Sequence, residues 1–293
     1  MAKEYGYEIP GDNTGECWAI SAHKNGDGMI ASGTYAGMSL STLYRTHREL
    51  FGDSTEEVFP LLVKIIDAKA DLSIQVHPDD AYAKERENGS LGKTECWYIL
   101  DCDEDATIVI GHNAKDKEEL RSMIEGNEWN RLISVRAIKK GDFFQIEPGT
   151  VHAIKAGTLI LETQQSSDIT YRLYDYGRLQ DGKPRELHLE KSIDVITCPH
   201  HEQSTDYHTE DKGNLTVTTL VSCPFYTVKK MELQGEAACA MDGTYQLFSV
   251  IDGEGTLDGT PLKKGDHFIL PAGYGDYTLT GRMQLMTSYT KEK

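Results

Sequence analysis

The segment KKGDFFQIEPGTVHAI, beginning at Lys139, returns in altered form as KKGDHFILPAGYGDYTL from Lys263. Each copy reads as a turn, a strand, a Pro/Gly turn and a second strand. Strand-like sequence precedes both, and before the second copy FSVIDGEGTLDG (Phe248 to Gly259) carries strand-turn-strand punctuation. A chain that repeats such a unit is constrained to build two β-domains of one design. The length of 293 residues accommodates this, and 27 glycines scattered among short apolar runs lean the same way.

Between the copies and upstream, the pattern supports two barrels. FPLLVKII (59–66) is a mostly apolar, strand-length run, followed by the turn-prone 67–71 and then LSIQVHPDD. In the latter, Ser73, Gln75 and His77 alternate with Leu72, Ile74 and Val76, so a strand puts three polar side chains on one face. That face is not an ordinary dry core. Residues 79–87 are polar and helix-compatible, Asn88-Gly89 breaks them, and ECWYIL resumes a strand at Glu95. Within 112–135, Leu120, Met123 and Ile124, then Trp129, Leu132 and Ile133, space out as short amphipathic helices interrupted at Gly126. The polar stretch 198–213 opens on Cys-Pro and reads as a boundary. The expected architecture is therefore mainly β: a first domain over 1–200 with a small helical insertion at about 112–135, and a second β-domain over 214–293.

The balance of 30 basic against 47 acidic residues, a net charge of −17, disfavours nucleic acid and anionic membranes as partners. It does not disfavour a small phosphorylated substrate, because salt screens a distant acidic surface within about 8–10 Å and a few local cations decide. Six cysteines stand singly without a C-x-x-C pair, which signals neither a zinc ribbon nor a disulfide framework. The N-terminus lacks the apolar core of a signal peptide, and no apolar run approaches the roughly 20 residues of a membrane span. A cytoplasmic protein is expected.

Four side chains form a candidate metal site: Gln75 and His77 on one strand, Glu95 at the start of another, and His152 after the Pro148-Gly149 turn. Two imidazoles, a carboxylate and an amide oxygen suit a divalent ion such as Zn²⁺ and leave room for a further ligand; the absence of thiolates argues for an open, catalytic site over a closed structural one. Any one of these residues alone is ordinarily a hydrogen-bonded or exposed polar group. His200, His201 and His208 lie in the polar boundary, where a solvated loop needs no metal. When the repeats are aligned on Gly149 and Gly273, His152 corresponds to Asp276, and no Gln-x-His precedes the second copy. The C-terminal domain is expected to lack a metal.

With QVHPDD, GKTE, PGTVHAI and SSDITYRLYDYGR in this order, the sequence resembles the type I phosphomannose isomerases in their shorter bacterial form, across most of the chain. The resemblance implies cupin-like jelly-roll barrels, with one zinc per chain held by Gln75, His77, Glu95 and His152. It further implies interconversion of mannose 6-phosphate and fructose 6-phosphate, Arg172 as catalytic, and Ser73, Lys93 and Lys64 near substrate. GKTE stands where longer members have HKPE-like wording, and no aromatic residue follows His152. Those departures bear on substrate contacts more than on the metal. Aldose–ketose isomerisation through an enediol needs an oxyanion stabiliser and a base. Arg172 can serve the first need or form an ion pair with Asp175 or Asp168; for the second, a metal-bound water, His77, Glu16 and Lys93 all remain open. The alternative reading is a non-catalytic or differently specific sugar-binding cupin. A monomer or homodimer is expected.

Overall fold

The computed structural model describes residues 1–180, 182–202 and 206–290, apart from the side chains of Ala2 and Lys3. Its contacts group the chain into two compact units, Ile65–Ser204 and a second made of Met1–Lys64 with Thr205–Lys293. The division is not linear in sequence. The first 64 residues group with the C-terminal part, whereas the sequence pattern alone places them in a domain over 1–200.

In the unit Ile65–Ser204, two sheets lie face to face. One runs, in spatial order, through Leu61–Ala68, Thr158–Gln165, Glu95–Cys102 and Phe143–Ile146. The other runs through Tyr171–Tyr174, Ile74–Val76, His152–Ile154, Thr107–His112 and Ile133–Ala137. Between them sits a dry core that includes Ile66, Trp97, Ile99, Phe144 and Ile160 from the first sheet and Ile108, Ile110 and Ile154 from the second. Each such burial stabilises by about 1.5–3 kcal/mol. Strand alternation sends Ile74, Val76, Val109 and Ala153 to the opposite face of the second sheet, where Leu120, Met123, Ile124, Leu132 and Ile193 cover them. Those residues come from the helices Lys117–Glu125, Trp129–Leu132 and Leu189–Val195. The first of these starts at Asp116, whose side chain accepts from the Glu119 N–H, and stops at Gly126.

Alternation also explains the polar face read from the sequence. With Ile74 and Val76 committed to the helices, Gln75 points between the sheets.

The C-terminal sheet orders His208–Asp211, Leu215–Ser222, Thr227–Cys239, Tyr277–Tyr289, Gln246–Leu257 and Thr260–Lys263, with His267–Leu270 also paired to Gln246–Leu257. Leu233, Phe248, Val250, Leu279 and Leu285 are at its centre. No helix among the described residues is long and apolar enough to cross a membrane.

Candidate metal centre

His152, at the start of its strand, lies directly opposite Gln75, and Gln75 in turn lies opposite Arg172 on the next strand. Directly paired residues share a sheet face. Arg172, Gln75 and His152 therefore form a row across three strands. Glu95 comes from the facing sheet, paired between Gln164 and Ile146. His77 follows the strand Ile74–Val76 by one residue, and its carbonyl accepts the N–H of Gly149 at 2.9 Å, which ties the Pro148-Gly149 turn to the histidine. Glycine is required there: φ is +83°, and a Cβ would lie 2.4 Å from Thr197 Oγ1 and 2.8 Å from the Val195 carbonyl.

The ligand-type atoms of His77, Glu95 and His152 all lie within 4.8 Å of one another, and all three residues are buried. This is the one such group of three or more His, Cys, Asp or Glu among the described residues. His77 Nδ1 is 2.8 Å from the Ile169 carbonyl and His152 Nδ1 is 2.8 Å from the Thr150 carbonyl. A carbonyl only accepts, so each Nδ1 carries the proton and donates, and each Nε2 presents a lone pair. The two Nε2 atoms face each other at 3.1 Å. Glu95 oxygens lie 3.5 Å from His77 Nε2 and 3.4 Å from His152 Nε2, and neither accepts a well-aligned hydrogen bond.

Charge is set for a cation. Burial, then the Lys93 ammonium, pushes His77 down to about 3. Burial also lowers His152. For Glu95, burial alone would raise the carboxyl, but the Lys93 ammonium holds it well below the usual range. Two neutral imidazoles and an ionised carboxylate are the protonation states that metal ligation requires. Each imidazole N–H held by a backbone carbonyl is also the arrangement that orients a ligating histidine. The donor set thus fits a divalent ion. The Gln75 amide nitrogen lies 3.2 Å from His152 Nε2; a half-turn of that amide exchanges nitrogen for oxygen and presents an acceptor to the same space.

Lys93 Nζ stands 2.8 Å from Glu95 Oε2 and 3.2 Å from His77 Nε2, although the residue is 4% exposed. Ser73 is buried one alternation before Gln75. Lys64 falls in the other unit, buried, with its Nζ 4.0 Å from Glu16 and 4.9 Å from the Trp18 ring centre. Arg172 donates through Nη1 to the Glu186 carbonyl at 2.9 Å, and its buried Nε has no hydrogen-bond partner. Asp175 pairs instead with Arg178 and Arg185. Burial and those two arginines lower the Arg172 pKa. Sequence reasoning missed this arginine group; its only linear signal is the spacing of Arg172, Arg178 and Arg185 around one aspartate. The ring of His200, from the polar boundary, packs against Gly111.

Fold and site together define a cupin-type protein whose first barrel carries a buried centre that could hold a metal ion. Residues 1–104 match the family "Phosphomannose isomerase type I, catalytic domain", and residues 216–290 match "Mannose-6-phosphate isomerase, cupin domain". The chain is 50% identical to the mannose-6-phosphate isomerase ManA of Bacillus subtilis (strain 168), over 98% of this chain and 92% of that protein. It is 49% identical to the mannose-6-phosphate isomerase of Streptococcus mutans, over 100% of this chain and 93% of that one. A crystal structure of the Bacillus subtilis mannose 6-phosphate isomerase superposes with a TM-score of 0.97 at 48% identity, covering 98% of this chain and 93% of the other. The chain belongs to the type I phosphomannose isomerases.

Proposed function

We propose that this protein is a zinc-dependent isomerase that interconverts mannose 6-phosphate and fructose 6-phosphate by moving a proton between adjacent sugar carbons through an enediol. The observation that carries the reading is the convergence of two imidazole Nε2 lone pairs and an ionised carboxylate in one buried space, within a chain half-identical to mannose-6-phosphate isomerases. A Zn²⁺ held by Gln75, His77, Glu95 and His152, one per chain, would supply Lewis-acid stabilisation of the charge that develops on the sugar oxygens.

The chain's own residues supply the rest. Arg172 adds a fixed positive charge one strand from Gln75, in a desolvated position where such a charge acts strongly. Arg178 and Arg185 join Arg172 here, three guanidinium groups against the carboxylates of Asp175 and Glu186, which makes this corner of an otherwise acidic protein locally positive and favours a phosphorylated substrate. Lys93 keeps Glu95 ionised and offers an ammonium to a substrate oxygen. Ser73, buried two residues before Gln75, completes the proposed substrate contacts within this unit. A coupled assay tests the function: chelator-stripped protein reloaded with one equivalent of Zn²⁺ should form fructose 6-phosphate from mannose 6-phosphate, and stripped protein should not. Folded, zinc-loaded protein without this turnover overturns the reading.

A further inference from the structure

Three successive backbone N–H groups lead into the Lys93–Glu95 pair, two held by the segment after His77 and the third by Gln165. The Gly92 N–H donates to Asp80 Oδ1 at 2.7 Å, the Lys93 N–H to the Pro78 carbonyl at 3.0 Å, and the Thr94 N–H to Gln165 Oε1 at 2.9 Å. Gln165 then closes the circuit, its Nε2 donating to the same Asp80 Oδ1 at 3.0 Å while its own N–H donates to the Thr94 carbonyl at 3.0 Å. The orientation of the Gln165 amide is not arbitrary, because a backbone N–H on one side and a carboxylate on the other fix which end is oxygen. Gly92 packs so closely that a Cβ would lie 2.4 Å from the Asp79 carbonyl carbon and from Asp80 N, so the loop has no freedom to slide. Ser167 Oγ donates to the Leu91 carbonyl at 2.9 Å and holds the same loop one residue earlier.

We propose that Gln165 and Asp80 are positioning residues: their amide–carboxylate bridge locks the segment after His77 to the segment before Glu95, and so sets where the Glu95 carboxylate and the Lys93 ammonium stand. The inference rests on the reading of His77, Glu95 and His152 as a metal centre. Neither bridging side chain is among the candidate ligands. Asp80 is exposed and Gln165 is buried, and their bridge spans 85 positions of sequence. Hydrogen bonds one step removed from a ligand typically set metal affinity or activity by about 10–100-fold.

The test measures Zn²⁺ affinity of the full chain by competition with a chromogenic chelator, alongside melting temperature. Asp80→Ala and Gln165→Leu should each weaken Zn²⁺ binding by about 10–100-fold. Asp80→Asn keeps an oxygen able to accept from both Gly92 and Gln165, and should stay within about threefold of the parent. Asp79→Ala is the structural control: it removes the cap whose side chain accepts the Tyr82 N–H at 2.8 Å, and should lower the melting temperature while leaving Zn²⁺ affinity in place. Parent-like affinity in both Asp80→Ala and Gln165→Leu overturns the proposal, as does equal damage in Asp80→Asn and Asp80→Ala, or an Asp79→Ala loss matching that of Asp80→Ala. A parent that binds no Zn²⁺ would sink the metal reading itself and not merely the bridge.

Discussion

The two KKGD copies share a backbone almost bond for bond and differ in which polar groups they leave unmet. In the first, the Lys139 N–H donates to Asp142 Oδ2 at 2.9 Å, Gly141 has φ +91°, and its N–H donates to the Ile99 carbonyl at 2.8 Å. In the second, the Lys263 N–H donates to Asp266 Oδ2 at 2.8 Å, Gly265 has φ +93°, and its N–H donates to the Val250 carbonyl at 2.9 Å. With Ile99 and Val250 equivalent, Glu95 corresponds to Gln246, and each pairs with an equivalent residue of its own copy, Ile146 and Leu270. Glu95 accepts no well-aligned hydrogen bond. Gln246 is equally buried, but its Nε2 donates to Thr287 Oγ1 at 2.8 Å and its Oε1 accepts the Asp242 N–H at 3.2 Å. Turn chemistry and strand pairing determine the fold in both copies. The first copy's buried carboxylate, faced by an ammonium and two imidazoles where the second copy has a neutral amide hydrogen-bonded to its own domain, marks the candidate metal centre.

The sharpest way to break that contrast is to give the first copy the second one's amide. Glu95→Gln should bind Zn²⁺ at least about 100-fold more weakly and lose turnover in proportion, since a charged ligand is removed while the shape is kept. His152→Ala should abolish both stoichiometric metal and activity; retention of one metal per chain would remove His152 from the ligand set. Metal analysis after gel filtration reads both.

Arg172 separates electrostatics from ligation. Arg172→Ala should keep one metal per chain yet lower kcat by about 10²–10³-fold, the usual cost of removing one transition-state charge partner. Steady-state kinetics on zinc-loaded protein decide it. Near-normal kcat would leave Arg172 with only its bond to the Glu186 carbonyl, a structural role.

Much of this centre is legible in the sequence, because Gln75 and His77 break the apolar pattern of a strand and a Pro-Gly turn announces His152. The helices of the insertion are legible from their 3.6-residue spacing for the same reason. What does not show is anything that depends on pairing across the fold. Asp80 reads as one more acidic residue at a helix start, and Gln165 as the end of a strand; their bridge exists only once the sheets close. The grouping of residues 1–64 with the C-terminal part is equally invisible, since the strand Leu61–Ala68 runs across the division without a linker, a glycine or a proline to mark it.

A smaller effect separates the two Pro/Gly turns. Gly149 and Gly273 have φ +83° and +76°, so alanine at either costs about 1–2 kcal/mol of left-handed strain. At Gly149 the added Cβ also meets Thr197 Oγ1 and the Val195 carbonyl, whereas at Gly273 nothing lies within 4 Å. Overpacking adds about 1–3 kcal/mol. Urea unfolding should therefore show Gly149→Ala destabilised by about 3 kcal/mol and Gly273→Ala by about half of that. Equal losses would mean that the first turn gives way as freely as the second.

A last difference between the copies lies where the second carries an imidazole in place of the first copy's buried Phe143. His267 Nδ1 is 2.8 Å from Ser249 Oγ and its Nε2 is 2.7 Å from Tyr7 OH, with Tyr7 donating in turn to the Gly265 carbonyl at 3.1 Å. Tyr7 spends its proton there, so it accepts from Nε2–H and Nδ1 accepts from Ser249. Burial lowers the pKa of His267 from 6.5 to about 4, with Asp266 opposing in part. Below pH 6.5 the unfolded chain therefore binds a proton that the folded chain does not, and stability falls as pH drops toward 4 and levels off beneath it. At about 1.4 kcal/mol per unit, discounted because the ring is partly exposed, the loss is about 2 kcal/mol. His267→Phe removes the proton site; it costs about 1–3 kcal/mol at neutral pH by stranding Ser249, but its stability should fall less steeply between pH 6.5 and 4. Parallel stability curves for parent and variant across that window would show that His267 protonates as readily folded as unfolded.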